Sequence, residues 1–84
     1  MQQFILYGTL GCHLCELAEE RLAGLMVQLP QPVEIECIDI ADNPDSDALI
    51  EHYGVRIPVL RRVTDDAELG WPFDDAVLLD FLQS

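Results

Sequence analysis

Eighty-four residues, half of them apolar, suffice for one modest core, which excludes both a two-domain chain and an intrinsically disordered one. Acidic side chains outnumber basic ones 16 to 4, for a formal net charge of -12. Such a surface repels phosphate backbones and anionic lipids, so neither a nucleic acid nor a membrane is an expected partner.

The first apolar segment, Phe4-Ile5-Leu6-Tyr7, belongs to a predicted strand over residues 3–7. It is far too short for a signal peptide or a membrane span, so a cytoplasmic domain over residues 1–84 is expected. Gly8-Thr9-Leu10-Gly11 then leads into Cys12-His13-Leu14-Cys15. Leu14, Ala18, Leu22, Leu25 and Leu29 recur at three- and four-residue spacings, which predicts an amphipathic helix over 13–29, ended by Pro30-Gln31-Pro32. Val33, Ile35 and Cys37 alternate with Glu34 and Glu36, the period of a strand with one apolar face, and Cys37 is expected in the core.

Asp42-Asn43-Pro44 signals a second helix start, with Asp42 or Asn43 as the cap. Leu49 and Tyr53 share a face of that helix, His52 suits its C-terminal end, and Gly54 fits a left-handed exit. Arg56–Leu60 is the next predicted strand, Thr64-Asp65-Asp66 a turn, and Ala67–Leu69 a short returning strand. Trp71-Pro72 marks the last helix start, with Asp74 and Asp75 in its first turn. Phe73, Val77 and Phe81 line one side of that helix, joined by Leu78 and Leu82. The order is βαβαββα. A helix between the first two strands makes them parallel, and the last two can form a hairpin. The expectation is an α/β fold with a four-stranded mixed sheet of order 2-1-3-4 and helices on both faces, the first and last helices sharing one of them.

Chemistry concentrates in Cys12 and Cys15. Two thiols three positions apart at a helix start can close a small disulfide ring, and free helix N–H groups favour a thiolate there. Cys12, at the end of the loop, is the expected nucleophile, and Cys15, in the first turn and more buried, is the expected resolving thiol. A protonated His13 between them would lower the cost of the Cys12 thiolate. The one close cysteine pair is not the framework of a secreted disulfide scaffold, and a zinc site would need a second close ligand pair, so no metal and no other cofactor is expected. Pro58 cannot donate to the sheet and stands at an edge or in a loop entering the strand, where the backbone of Ile57 would be open to an extended substrate.

Leu6-Tyr7 before Cys12-His13-Leu14-Cys15-Glu16, with Tyr53-Gly54-Val55-Arg56-Ile57-Pro58-Val59 further on, resembles the glutaredoxin-like branch of the thioredoxin fold, and within it a group of small bacterial glutaredoxin-like proteins. The resemblance covers nearly all of the chain. It implies Cys12 as the attacking cysteine, Cys15 as the resolving one, and Pro58 as a cis-proline facing both. It also implies that Asp74 could contact a glutathione amino group. The chain departs from the family pattern in three places. His13-Leu14 stands where Pro-Tyr is common, Thr9-Leu10-Gly11 carries no basic residue, and Trp71 replaces the second glycine of a Gly-Gly pair.

The function expected from these features is thiol–disulfide oxidoreduction by a monomer on a protein or low-molecular-weight disulfide. His13, Arg56, Ile57, Pro58, Trp71 and Asp74 are the candidate substrate-binding residues. Weak glutathione binding is expected, with Arg56 the one cation placed to pair with a substrate carboxylate. The alternatives are a non-catalytic binding module that uses the Ile57–Pro58 and Trp71 surface, and a metal carrier that uses the cysteine pair.

Overall fold

The computed structural model describes residues 2–83. In chain order the elements are β1 (Gln2–Gly8), α1 (His13–Met26), β2 (Val33–Asp39), α2 (Ser46–Tyr53), β3 (Val59–Arg62), β4 (Glu68–Gly70) and α3 (Asp75–Gln83). The four strands form one sheet in the order β2-β1-β3-β4, as expected. β1 and β2 are parallel, with Gly8 opposite Asp39. β3 runs antiparallel to β1, with Tyr7 opposite Val59, and β4 runs antiparallel to β3, with Val59 opposite Gly70.

Two apolar clusters hold helices to the two faces of the sheet. Phe4, Leu6 and Leu60 pack with Ala18, Leu22 and Leu25 of α1 and with Phe73, Leu78 and Leu82 at α3. Tyr7, Ile40, Tyr53 and Val59 form the second cluster, on the α2 side. Tyr7 and Tyr53 stack there with ring centroids 4.2 Å apart. Tyr53 donates its hydroxyl hydrogen bond to Glu68 at 2.6 Å, and Arg61 donates to the Tyr7 hydroxyl at 3.1 Å. Among the described residues no helix is long and apolar enough to cross a membrane.

Several elements differ in detail from the periodicity. The buried stripe of α1 begins at Cys15 rather than Leu14, which is exposed. Cys15, Ala18, Leu22 and Leu25 keep the helical spacing equally well, so the apolar count alone could not choose between adjacent starts. Cys37 is exposed rather than in the core, because β2 is an edge strand and its second half is only partly covered. α2 starts at Ser46, after an Asx turn in which Asp45 N–H donates to the Asn43 side chain at 2.9 Å. Gly54 leaves α2 with right-handed dihedrals. Its glycine is required by space, since a Cβ there would collide with the Ile50 carbonyl oxygen. β3 begins after Pro58 and not at Arg56. α3 begins at Asp75, beyond a cis Trp71–Pro72 bond, and Val77 is on its exposed side.

Leu60 is fully buried at the centre of the first cluster, whereas Val55 is fully exposed. Leu60→Ala is expected to lower the unfolding free energy by about 2–5 kcal/mol, and Val55→Ala to change it by less than about 0.5 kcal/mol, as read from urea midpoints.

Candidate active site

Strand direction gathers the chemistry at one end of the sheet. β1 and β2 finish there at Gly8 and Asp39, β3 starts there behind Pro58, and β4 finishes there at Gly70. The Cys12 loop, Pro58 and Trp71 therefore share this end. The peptide bond before Pro58 is cis, Pro58 is buried, and its carbonyl accepts the Trp71 N–H at 3.2 Å.

Cys12 is the N-cap of α1 in an extended conformation, and its sulfur accepts the Cys15 N–H at 3.2 Å. The two cysteines form a disulfide, with Cα atoms 5.2 Å apart. Cys12 is half-buried and Cys15 buried. Gly11 enters the cap with φ of 81°, a conformation that glycine adopts freely. Gly8 lets the end of β1 approach the pair: a Cβ there would lie 3.0 Å from the Cys15 sulfur.

Sequence reasoning did not single out Asp39, the residue that ties this loop down. Its carboxylate accepts the Thr9 hydroxyl at 3.1 Å, the Leu10 N–H at 3.2 Å and the Ala41 N–H at 2.8 Å. These donors, Ala41 foremost, hold the Asp39 carboxyl below its usual range against the opposing effect of desolvation. The contribution is present above the unfolded carboxylate pKa and is lost as pH falls through the lower folded value. An acidic residue at a strand end gives no local sign of this role, because its partners lie 29 and 30 positions away.

His13 is exposed, with Nδ1 3.8 Å from the Glu16 carboxylate. Trp71 lies edge-on to Phe73 at 5.4 Å, and the Arg21 guanidinium sits 5.9 Å from its ring. Asp74 accepts the Ala76 N–H at 2.8 Å, so its carboxylate caps the start of α3. Ile57 donates its N–H to the Tyr53 carbonyl at 3.1 Å, so that donor is engaged within the chain. Arg56 is engaged at the end of α2. It contacts the Glu68 carboxylate at 3.4 Å, donates to the His52 carbonyl at 3.2 Å, and lies over the Tyr53 ring at 5.2 Å. The strand assignment misled here, since Arg56 precedes β3 and turns back to the end of α2.

Cys37 lines a cleft of about 250 Å³ shared with Cys15, Glu19 and Asp39. Partial burial of its sulfur pushes the thiol up to about 11, and the hydrogen bond and charge of Glu19 act in the same direction. Among the described residues no three His, Cys, Asp or Glu side chains are grouped to hold a metal ion.

The sheet order, the helix-capping cysteine pair and the cis-proline at the same sheet end define a protein of the thioredoxin-like class. Chloroplastic thioredoxin z superposes with a TM-score of 0.71 at 17% identity, over 99% of this chain and 76% of its own, and shares the fold. The chain belongs to the glutaredoxin-like domain family (DUF836), whose model matches residues 3–83. Similar solved structures include protein XcR50 from X. campestris, 36% identical over 95% of each chain with a TM-score of 0.74. Protein Ne2328 from Nitrosomonas europaea is 34% identical over 96% of this chain and 91% of its own, with a TM-score of 0.77. No curated protein matches the sequence.

With Cys12 and Cys15 held as the disulfide, Cys37 is the one thiol open to alkylation. Its iodoacetamide reaction near neutral pH should run on the order of a hundred-fold slower than that of an unhindered cysteine, because so little thiolate is present. Glu19→Gln should speed it. A rate typical of a free thiol in the unaltered protein would contradict the assignment.

Proposed function

We propose that the protein is a thiol–disulfide oxidoreductase of the reducing type, working on protein or low-molecular-weight disulfides in a cytoplasm that keeps its cysteine pair reduced. The observation that carries this reading is the Cys12 sulfur at the N-terminus of α1, accepting the N–H of the cysteine that closes a disulfide with it. A helix N-terminus presents unpaired N–H groups and a positive dipole end, and both favour the thiolate over the thiol.

From the reduced pair, the Cys12 thiolate attacks one sulfur of the substrate disulfide. The substrate S–S bond breaks, and the departing thiolate takes up a proton. Cys15 then loses its proton and attacks the Cys12 sulfur of the mixed disulfide, which releases the second substrate thiolate and forms the Cys12–Cys15 disulfide. Two electrons pass to the substrate, and a cellular thiol reductant resets the pair. The short separation makes the resolving step intramolecular. Cys15 is buried against the end of β1, which leaves Cys12 as the sulfur open to attack on a partner. Pro58 and Trp71, joined by a hydrogen bond, form the opposite wall in this reading. Cys37 stays a protonated bystander.

In a Cys37→Ser background, Cys12→Ser should abolish reduction of a protein disulfide. Cys15→Ser should retain attack, accumulate the mixed disulfide at Cys12, and slow turnover by about a hundred-fold or more, seen by mass spectrometry and by free-thiol release. Retained turnover in Cys12→Ser would overturn the mechanism.

A further inference from the structure

The chain's basic side chains are four arginines, and each of them is engaged within the fold. Arg21 donates to the Phe73 carbonyl and lies 3.5 Å from Asp75. Arg56 is held by Glu68 and the His52 carbonyl. Arg61 pairs with Asp66 and the Tyr7 hydroxyl, and Arg62 pairs with Asp65 at 2.9 Å and the Phe81 carbonyl at 2.9 Å. Both histidines also face carboxylates, His13 at Glu16 and His52 at Glu68. An anionic substrate would have to detach one of these groups from its partner, against a net charge of -12.

The surface around Cys12 has the opposite preference. Leu10 is 92% exposed, and Leu14 and Leu17 are exposed on the first turns of α1. Leu17 leads into a groove of about 460 Å³ between α1 and the start of α3, lined also by Glu20, Arg21, Trp71 and Asp75. Exposed Glu16 lies one helical turn before Glu20, and exposed Asp74 immediately precedes Asp75. The groove thus joins apolar walls to carboxylates that outnumber its one arginine. Long cationic side chains match that combination, since their methylene stems cover apolar surface while their charge stays at the acidic rim.

Resting on the redox reading, we infer that the substrate class of this site is a disulfide in a basic protein segment, with lysine or arginine flanking the attacked cysteine, and that glutathione disulfide is disfavoured. Leu10, Leu14 and Leu17 contact the apolar part of such a segment, and the acidic rim accelerates its arrival.

The test is single-turnover oxidation of the fully reduced protein by two synthetic disulfide peptides of equal length and apolar content, one lysine-flanked and one glutamate-flanked, with glutathione disulfide as a third oxidant. The lysine peptide is expected to react about ten-fold faster or more at low salt, and the advantage should shrink toward unity near 1 M salt. Leu14→Ser should slow both peptides while keeping their ratio. A glutamate peptide or glutathione disulfide that reacts as fast as the lysine peptide at low salt would overturn the inference and leave the redox reading standing. Should no oxidant react, the redox reading fails. The affinities of the two peptides for the disulfide form, followed by fluorescence of Trp71, the only tryptophan, then decide the inference: tighter binding of the lysine peptide supports it and equal affinity rejects it.

Discussion

One hydrogen bond organises the candidate site: the Cys15 N–H donated to the Cys12 sulfur where α1 begins. It makes the Cys12 sulfur serve as a helix cap, so a group that can carry negative charge occupies the position where helix N–H groups await an acceptor. The rest of the sheet end maintains that position. β1 delivers the loop, Gly8 leaves room for the Cys15 sulfur, and Asp39 anchors Thr9 and Leu10 from the neighbouring strand. Burial of Cys15 follows from the same geometry, since it opens the core-facing stripe that continues through Ala18, Leu22 and Leu25.

Electrostatics outside this point is organised by sequestration. The arginines cross-link the sheet, the β3–β4 turn and the start of α3, and each is paired with a carboxylate. Exposed pairs of this kind add little stability individually. Their larger consequence is that the surface remaining for a partner is acidic and, around Cys12, apolar. In the substrate reading proposed above, selectivity comes from the charge a partner brings and not from a cation the protein supplies.

Much of the architecture was legible because apolar periodicity reports which face of an element is covered. The strand order followed from the element sequence and the handedness of crossovers. What stayed hidden depended on the neighbours an element finds. Alternation put Cys37 on the correct strand but could not say that an edge strand leaves it exposed. Leu14 and Cys15 compete for one stripe, and the fold buries Cys15 beside Gly8 while leaving Leu14 exposed. Arg56 looked like a residue beside Pro58, yet the chain before β3 is still hydrogen-bonded to Tyr53 and aims it at Glu68. Asp39 carried no local signal at all, because its meaning lies in a loop that sequence distance separates from it.

The central claim is that the start of α1 stabilises negative charge on Cys12, and the most direct measurement is the thiolate titration of that sulfur. Reduced Cys37→Ser protein should be followed by ultraviolet thiolate absorbance and by the pH dependence of Cys12 alkylation. The account predicts a Cys12 midpoint well below the ordinary cysteine value of about 8.5, with the midpoint of Cys15 higher. A Cys12 midpoint at or above that ordinary value would contradict it.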